Sequence, residues 1–133
     1  MKILVVDDHP LILAALAQLL PRGERSVSVI GAADRDEAYA MLAAHPDCAL
    51  VLLDLALPGT RGLELLGAMR RDFPRLPIAV LSATHDRATV DAALAANSVI
   101  FAEDIRQAMR EISSAFEEAK ADIMGLYLVT KLY

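Results

Sequence analysis

The sequence predicts an α/β domain with helices wound on both faces of a parallel sheet. Short apolar runs rich in β-branched residues alternate with helical stretches along residues 1–97. Those helical stretches stop at Pro or Asn, and the first, third and fourth strand-like runs end abruptly in Asp or Ser. Four strand-then-helix units in succession require right-handed crossovers, which put the strands parallel and the helices on both sides. A chain of 133 residues is the size of one domain with its own core. Its apolar content of 56% comes in short pieces, as strands buried on both faces do.

Residues 3–6 form the first expected strand, stopped by Asp7-Asp8-His9-Pro10, after which residues 11–20 are helical in composition. Pro10 suits a first helical position, where a missing N–H costs nothing. Residues 27–30 read as the second strand. Asp34 then offers an N-cap with Glu37 three residues on, and the helix continues over 38–44 until His45-Pro46. Residues 49–53 are the third strand, with Asp54 at its end. Residues 57–62 form a Pro- and Gly-containing loop, and residues 63–73 carry apolar side chains at helical spacing up to Pro74. Residues 78–81 are the fourth strand, followed by Ser82. Asp86 caps a helix running to about Ala96, with Asn97 as its left-handed terminator.

Several classes of protein are excluded. No stretch approaches the roughly 20 apolar residues of a membrane span, since residues 49–57 are interrupted by Asp54. The apolar run after Lys2 is too short for a secretory signal, so the protein is expected in the cytoplasm. Cys48 is the only cysteine, which rules out an internal disulfide and reads as a small apolar residue beside a strand. A net charge of −5 argues against direct nucleic-acid binding.

A parallel sheet would bring the residues that end its strands to one edge, where open sheets of this kind bind their ligands. Those residues are Asp7, Asp8, Asp54 and Ser82. Three crowded carboxylates repel, and a hard divalent cation relieves the repulsion. Mg2+ takes a few carboxylate oxygens and keeps waters, leaving room for a phosphoryl oxygen. A carboxylate beside it can accept a phosphoryl group, which a neighbouring hydroxyl then hydrogen-bonds. His9, next to the acidic pair, reads as a loop residue, and Arg70-Arg71 as a solvated patch at a helix end.

At these positions the chain resembles the receiver domains of two-component response regulators over roughly residues 1–101. Val5-Val6-Asp7-Asp8-His9-Pro10 is similar to the acidic-pair strand of members that carry LuxR-type helix-turn-helix output domains. Leu53-Asp54-Leu55-Ala56-Leu57-Pro58-Gly59-Thr60-Arg61-Gly62 is similar to the acceptor loop, with Pro four and Gly eight residues after the Asp. Ser82-Ala83 matches the end of the fourth strand. The resemblance implies a flavodoxin-like, five-stranded (βα)5 fold, and a sensor histidine kinase as partner. It also implies Asp54 as phosphoryl acceptor, Ser82 as switch hydroxyl, and Mg2+ held by Asp8, Asp54 and the backbone carbonyl of Ala56, with Asp7 acting through water. Such a protein is a phosphoryl acceptor in a signalling relay, not a turnover enzyme. A phosphohydrolase with an aspartyl nucleophile needs a second Asp two residues later, where this chain has Ala56.

The C-terminal part departs from the family. Counting from Ser82, residues 98–104 are the fifth strand, with Phe101 as the aromatic switch residue and Asp104 where the family has a phosphoryl-pairing Lys. The expected division is a receiver over 1–117 and an atypical extension over 118–133. Ile105, Met109, Ile112, Phe116, Ala119, Ile123, Leu126 and Thr130 make a heptad-like stripe, which reads as a helix packed on the sheet or as a dimerising helix. Gly125 and the strand-like residues 126–133 leave a second reading open. In it the tail is the fifth strand, in its own sheet or exchanged with a second copy, and Lys131 supplies the phosphoryl partner. A homodimer follows from the dimerising helix or from strand exchange, and a scaffold that works without phosphorylation is the alternative function.

Overall fold

The computed structural model describes residues 1–19, 27–55, 57, 59, 61–82, 88, 92 and 127–129. The first apolar run becomes β1 (Lys2–Val6), which pairs in parallel with β2 (Ser28–Ala32) on one side and β3 (Cys48–Asp54) on the other. β3 pairs in parallel with β4 (Ile78–Ser82), and the sheet order is β2-β1-β3-β4-β5. The doubly wound parallel sheet is therefore present over its first four strands. Winding reverses between β1 and β3, which opens a crevice beyond their carboxyl ends.

β2 begins and ends later than its composition suggests, at 28–32 instead of 27–30. Register explains this, since β1 pairs along its whole length, from Lys2↔Ser28 to Val6↔Ala32. The ladder, not local propensity, sets the boundary. β3 gains a residue at each end, so that Cys48 opens it and Asp54 closes it. The half-buried Cys48 thiol donates to the Leu50 carbonyl at 3.4 Å, and burial pushes its pKa up.

Both faces of the sheet are covered. On one, Leu4, Val6, Val51, Leu53, Ile78 and Val80 pack with Ala38 and Leu42 of α2 (Arg35–Ala44) and with Leu65, Leu66 and Met69 of α3 (Gly62–Asp72). At the alternate positions Ile3, Val5, Leu50, Leu52 and Ala79 are equally buried, as is Leu16 of α1 (Pro10–Leu19). Pro10 does open α1, and Asp34 does cap α2. Asp34 Oδ1 accepts from Glu37 N at 2.8 Å, while Glu37 Oε2 reaches back to Ala33 N at 2.7 Å. This reciprocal pair satisfies the orphan N–H of Glu37 and ties the N–H of Ala33, one residue earlier than in the usual capping box.

Arg70 corrects the expectation of a solvated pair. Arg71 is exposed, but Arg70 is half-buried, with Nε and Nη1 buried and without hydrogen-bond partners. Its Nη2 donates to the carbonyl of Phe73 at 3.3 Å, closing the end of α3, and burial pulls its pKa down. The end of α3 is tied to the middle of α2 by Tyr39, whose hydroxyl donates to Asp72 at 2.7 Å and whose ring lies 5.7 Å from that of Phe73.

The fifth strand differs from its four partners. β5 (Tyr127–Val129) lies in the chain's own sheet and pairs antiparallel with β4, in the register Ser82↔Tyr127, Leu81↔Leu128 and Val80↔Val129. The heptad-like stripe is thus not one helix as far as Thr130, because strand replaces helix where aromatic and β-branched residues follow Gly125. Of the helix expected from Asp86 only Ala88 and Ala92 are described, both helical, and the strand over 98–104 with Phe101 and Asp104, the stripe over 105–126 and Lys131 lie outside the described residues.

Gly62 opens α3 where the loop after Asp54 folds back. A Cβ added there would sit 2.3 Å from the Leu55 carbonyl oxygen and 2.5 Å from the Leu55 Cα, both backbone atoms that cannot yield separately. Gly67, in the same helix, has nothing within 4 Å of such a Cβ. Gly62→Ala is expected to lower the free energy of unfolding by about 1–3 kcal/mol or more. Gly67→Ala should instead raise it by about 0.5–1 kcal/mol. Urea denaturation of both variants checks this, and equal stability would contradict the close packing of the loop.

Candidate functional site

β1 ends by placing Asp7 at the crevice. The Asp7 backbone N–H donates to the Ala32 carbonyl at 2.9 Å, extending the β1–β2 ladder by one residue and fixing where its side chain starts. That side chain is fully buried. Its Oδ1 accepts the backbone N–H of His9 at 2.8 Å and the His9 Nδ1 at 2.9 Å. The backbone bond is an Asx-turn, the local geometry Asp adopts two residues before a helix start. It turns the chain into α1 and holds the imidazole over the acidic pair.

Asp54 arrives from β3 and is 1% exposed. Its register partner on β4 is Leu81, so Ser82 follows one residue beyond, at the same edge of the sheet. The loop after Asp54 is pinned by buried Leu57, by the left-handed turn at Gly59 (φ 68°) and by the tight approach of Gly62 to Leu55. Asp7, Asp8 and Asp54 are thereby brought together as the sequence predicts. One ligand atom from each of them, with one imidazole nitrogen of His9, lies within 4.8 Å of every other. Ala56, Phe101 and Lys131 lie outside the described residues. β5 runs from Ser82 toward Val80, away from Asp54.

Two buried oxygens of the cluster have no hydrogen-bond partner, Asp7 Oδ2 and Asp8 Oδ1. Asp8 Oδ1 is 3.2 Å from His9 Nδ1, close enough for ion pairing but not aligned as a hydrogen bond. Buried carboxylate oxygens left without donors are costly, and a hard cation is the group that satisfies them. The donor set, carboxylate oxygens of Asp7, Asp8 and Asp54, is of the kind that holds a hard divalent ion.

The contact of His9 with the acids is what the sequence reading missed. The legible signal was the Asp-x-His-Pro spacing, which makes the Asx-turn before a helix beginning at Pro10. The hydrogen bond to Asp7 is the main reason the His9 imidazole titrates above its ordinary 6.5, with the charges of Asp7, Asp8 and Asp54 adding to it and desolvation opposing.

Residues 3–103 match the response regulator receiver domain. The chain belongs to that family. It is 37% identical over 100 residues to a glycerol metabolism activator of Pseudomonas putida, covering 75% of this chain and 45% of that protein. It is 36% identical over 92 residues to the nitrate/nitrite response regulator NarL of Escherichia coli, covering 69% and 42%. This receiver thus spans less than half the length of these curated relatives. Among solved structures, a LuxR-family two-component response regulator from Aurantimonas superposes with TM-score 0.66 at 28% identity, over 84% of this chain and 83% of that one. The receiver domain of RcsB from Salmonella enterica, solved with the phosphomimetic BeF3-, superposes with TM-score 0.63 at 30% identity, over 72% and 71%. No described helix is long and apolar enough to cross a membrane.

The raised His9 pKa gives a pH prediction for the metal-free protein. Its sign follows from linkage: a folded-state pKa above the unfolded value adds stability that is complete below about 6.5 and fades as pH rises through the folded value. NMR titration of the His9 ring should give a midpoint above 6.5, and Asp7→Asn should lower it. An unchanged midpoint in Asp7→Asn would contradict the assigned hydrogen bond.

Proposed function

We propose that this receiver accepts a phosphoryl group on Asp54 from a sensor histidine kinase, in a reaction that needs Mg2+ at the acidic cluster. The observation that carries the reading is the buried Asp54 carboxylate beside two acids whose inward oxygens lack partners. Asp8 and Asp54 would hold the ion directly and Asp7 through water, with the Ala56 carbonyl as the remaining protein ligand. When bound, Mg2+ supplies neutralisation of charge on the phosphoryl oxygens.

The chain's own residues do the rest. An Asp54 oxygen forms a bond to phosphorus as the P–N bond of a donor phosphohistidine breaks. The electron pair leaves with the donor nitrogen, which takes a proton, and an acyl phosphate remains on Asp54. Ser82, one residue past the partner of Asp54 in the β4 register, would hydrogen-bond a phosphoryl oxygen. That bond would draw the end of β4 toward the modified Asp54 and change the affinity of the surface around β4 for partners. Leu11 is 77% exposed on the first turn of α1 and Leu63 37% exposed on the first turn of α3. Both flank the crevice and offer apolar contacts to a protein donor.

Counted from Ser82, Asp104 stands where the family has its Lys, and an acid at that position would repel the phosphoryl group. The reaction is therefore expected to be slower than in a receiver with that Lys, with acceptor identity unchanged. Intact-mass measurement after exposure to acetyl phosphate and Mg2+ should show one added phosphoryl group on wild type. Asp54→Asn, or wild type with chelator in place of Mg2+, should show none. An unlabelled wild type, or a labelled Asp54→Asn, would overturn the proposal.

A further inference from the structure

We propose that the cavity at the amino edge of the sheet is a binding site for a small aromatic carboxylate, with Arg75 and His45 receiving the acid group. It lies at the opposite end of β3 from Asp54, about 20 Å away along the strand, and does not depend on the acidic cluster.

Two tight turns lie side by side at this edge, one leading from α2 into β3 and the other from α3 into β4. Between them is a cavity of about 650 Å3, walled by Leu42, Phe73 and Leu76, with His45, Cys48 and Arg75 as its polar members. Sites for small molecules run from about 300 to 1,000 Å3 and are mostly apolar, with a few converging polar groups. Both turns are fixed without a ligand. Cys48 N donates to the His45 carbonyl at 3.0 Å, and Leu76 N to the Phe73 carbonyl at 3.1 Å. Pro46, Pro74 and Pro77 border the same cavity and lock their own φ. A preformed cavity with stiff walls binds at low ordering cost.

Charge decides the class of ligand. Lys2 Nζ donates to His45 Nδ1 at 3.1 Å, so that nitrogen is the acceptor and Nε2 carries the imidazole hydrogen. No described group accepts that hydrogen. Arg75 makes no hydrogen bond or ion pair with any described residue, and its guanidinium is a fixed cation. The acids adjoining the turns are engaged elsewhere, Asp47 with Lys2 at 3.1 Å and Asp72 with the Tyr39 hydroxyl at 2.7 Å. The Cys48 thiol donates to the Leu50 carbonyl and offers the cavity sulfur surface only.

Two donors without acceptors beside apolar walls call for an anion with an apolar body. A carboxylate can take both the guanidinium fork and the imidazole N–H. A flat ring suits walls that include the Phe73 ring and three prolines.

The test titrates the full 15N-labelled chain with sodium phenylacetate and, separately, with phenylacetamide, followed by amide NMR. Phenylacetate should give saturable shifts centred on the amides of Cys48, Arg75 and Leu76, with those of Asp8 and Asp54 unmoved. Phenylacetamide has the same shape without the charge and should bind at least about tenfold more weakly. Arg75 is exposed, so Arg75→Gln should keep the wild-type amide pattern while weakening phenylacetate by about fivefold or more. No saturable shift with phenylacetate overturns the proposal, as does a shift centred away from the two turns. Equal affinity for the amide, or undiminished phenylacetate binding by Arg75→Gln, would reveal an apolar cleft without carboxylate recognition and overturn it equally.

Discussion

The acidic cluster at the carboxyl edge of this sheet is governed by one electrostatic constraint: three carboxylates are held close together, two of them buried. Asp7 and Asp54 are buried, and the backbone ladders of β1 and β3 fix where each side chain starts. The acids cannot separate without breaking those ladders. His9 responds to this constraint by sitting across Asp7 and Asp8, its imidazole drawn toward the protonated form. The unpartnered Asp7 Oδ2 and Asp8 Oδ1 are the part of the cost that His9 leaves uncovered.

The fold can carry that cost because the sheet below is apolar on both faces. Leu50, Leu52, Leu53, Leu65 and Leu66 are all fully buried, and each such side chain contributes roughly 1.5–3 kcal/mol. Several of them outweigh a local electrostatic penalty of a few kcal/mol, so the acids persist where a neutral edge would be more stable. The loop that follows Asp54 is fixed sterically. Gly62 lets α3 start against the Leu55 backbone, so the segment beside the acceptor residue has little freedom to swing away from the crevice.

Much of this was legible in the sequence because it depends on local pattern. The order of strands and helices came from apolar runs and caps, and the meeting of Asp7, Asp8 and Asp54 came from combining strand ends with the geometry of parallel sheets. What escaped depended on tertiary context. The limits of β2 were set by its pairing with β1, and Arg70 turned inward because its guanidinium reaches the Phe73 carbonyl. The antiparallel β5 shows the same lesson: composition allowed residues 126–133 to be strand, but nothing local specified direction or partner. His9 is the instructive case, since its residue type suggested no partner until the turn at Asp7 set its ring against the acids.

The most direct test is the thermal midpoint as a function of Mg2+ concentration in wild type and in Asp8→Asn. If carboxylate repulsion at the sheet edge is the governing cost, wild type should gain stability steadily as Mg2+ rises, by the linkage of binding to the folded state. Asp8→Asn should melt higher than wild type without metal and respond little to the ion. A wild-type midpoint indifferent to Mg2+, with Asp8→Asn less stable than wild type in metal-free buffer, would show that the acids are not held in mutual repulsion awaiting a cation.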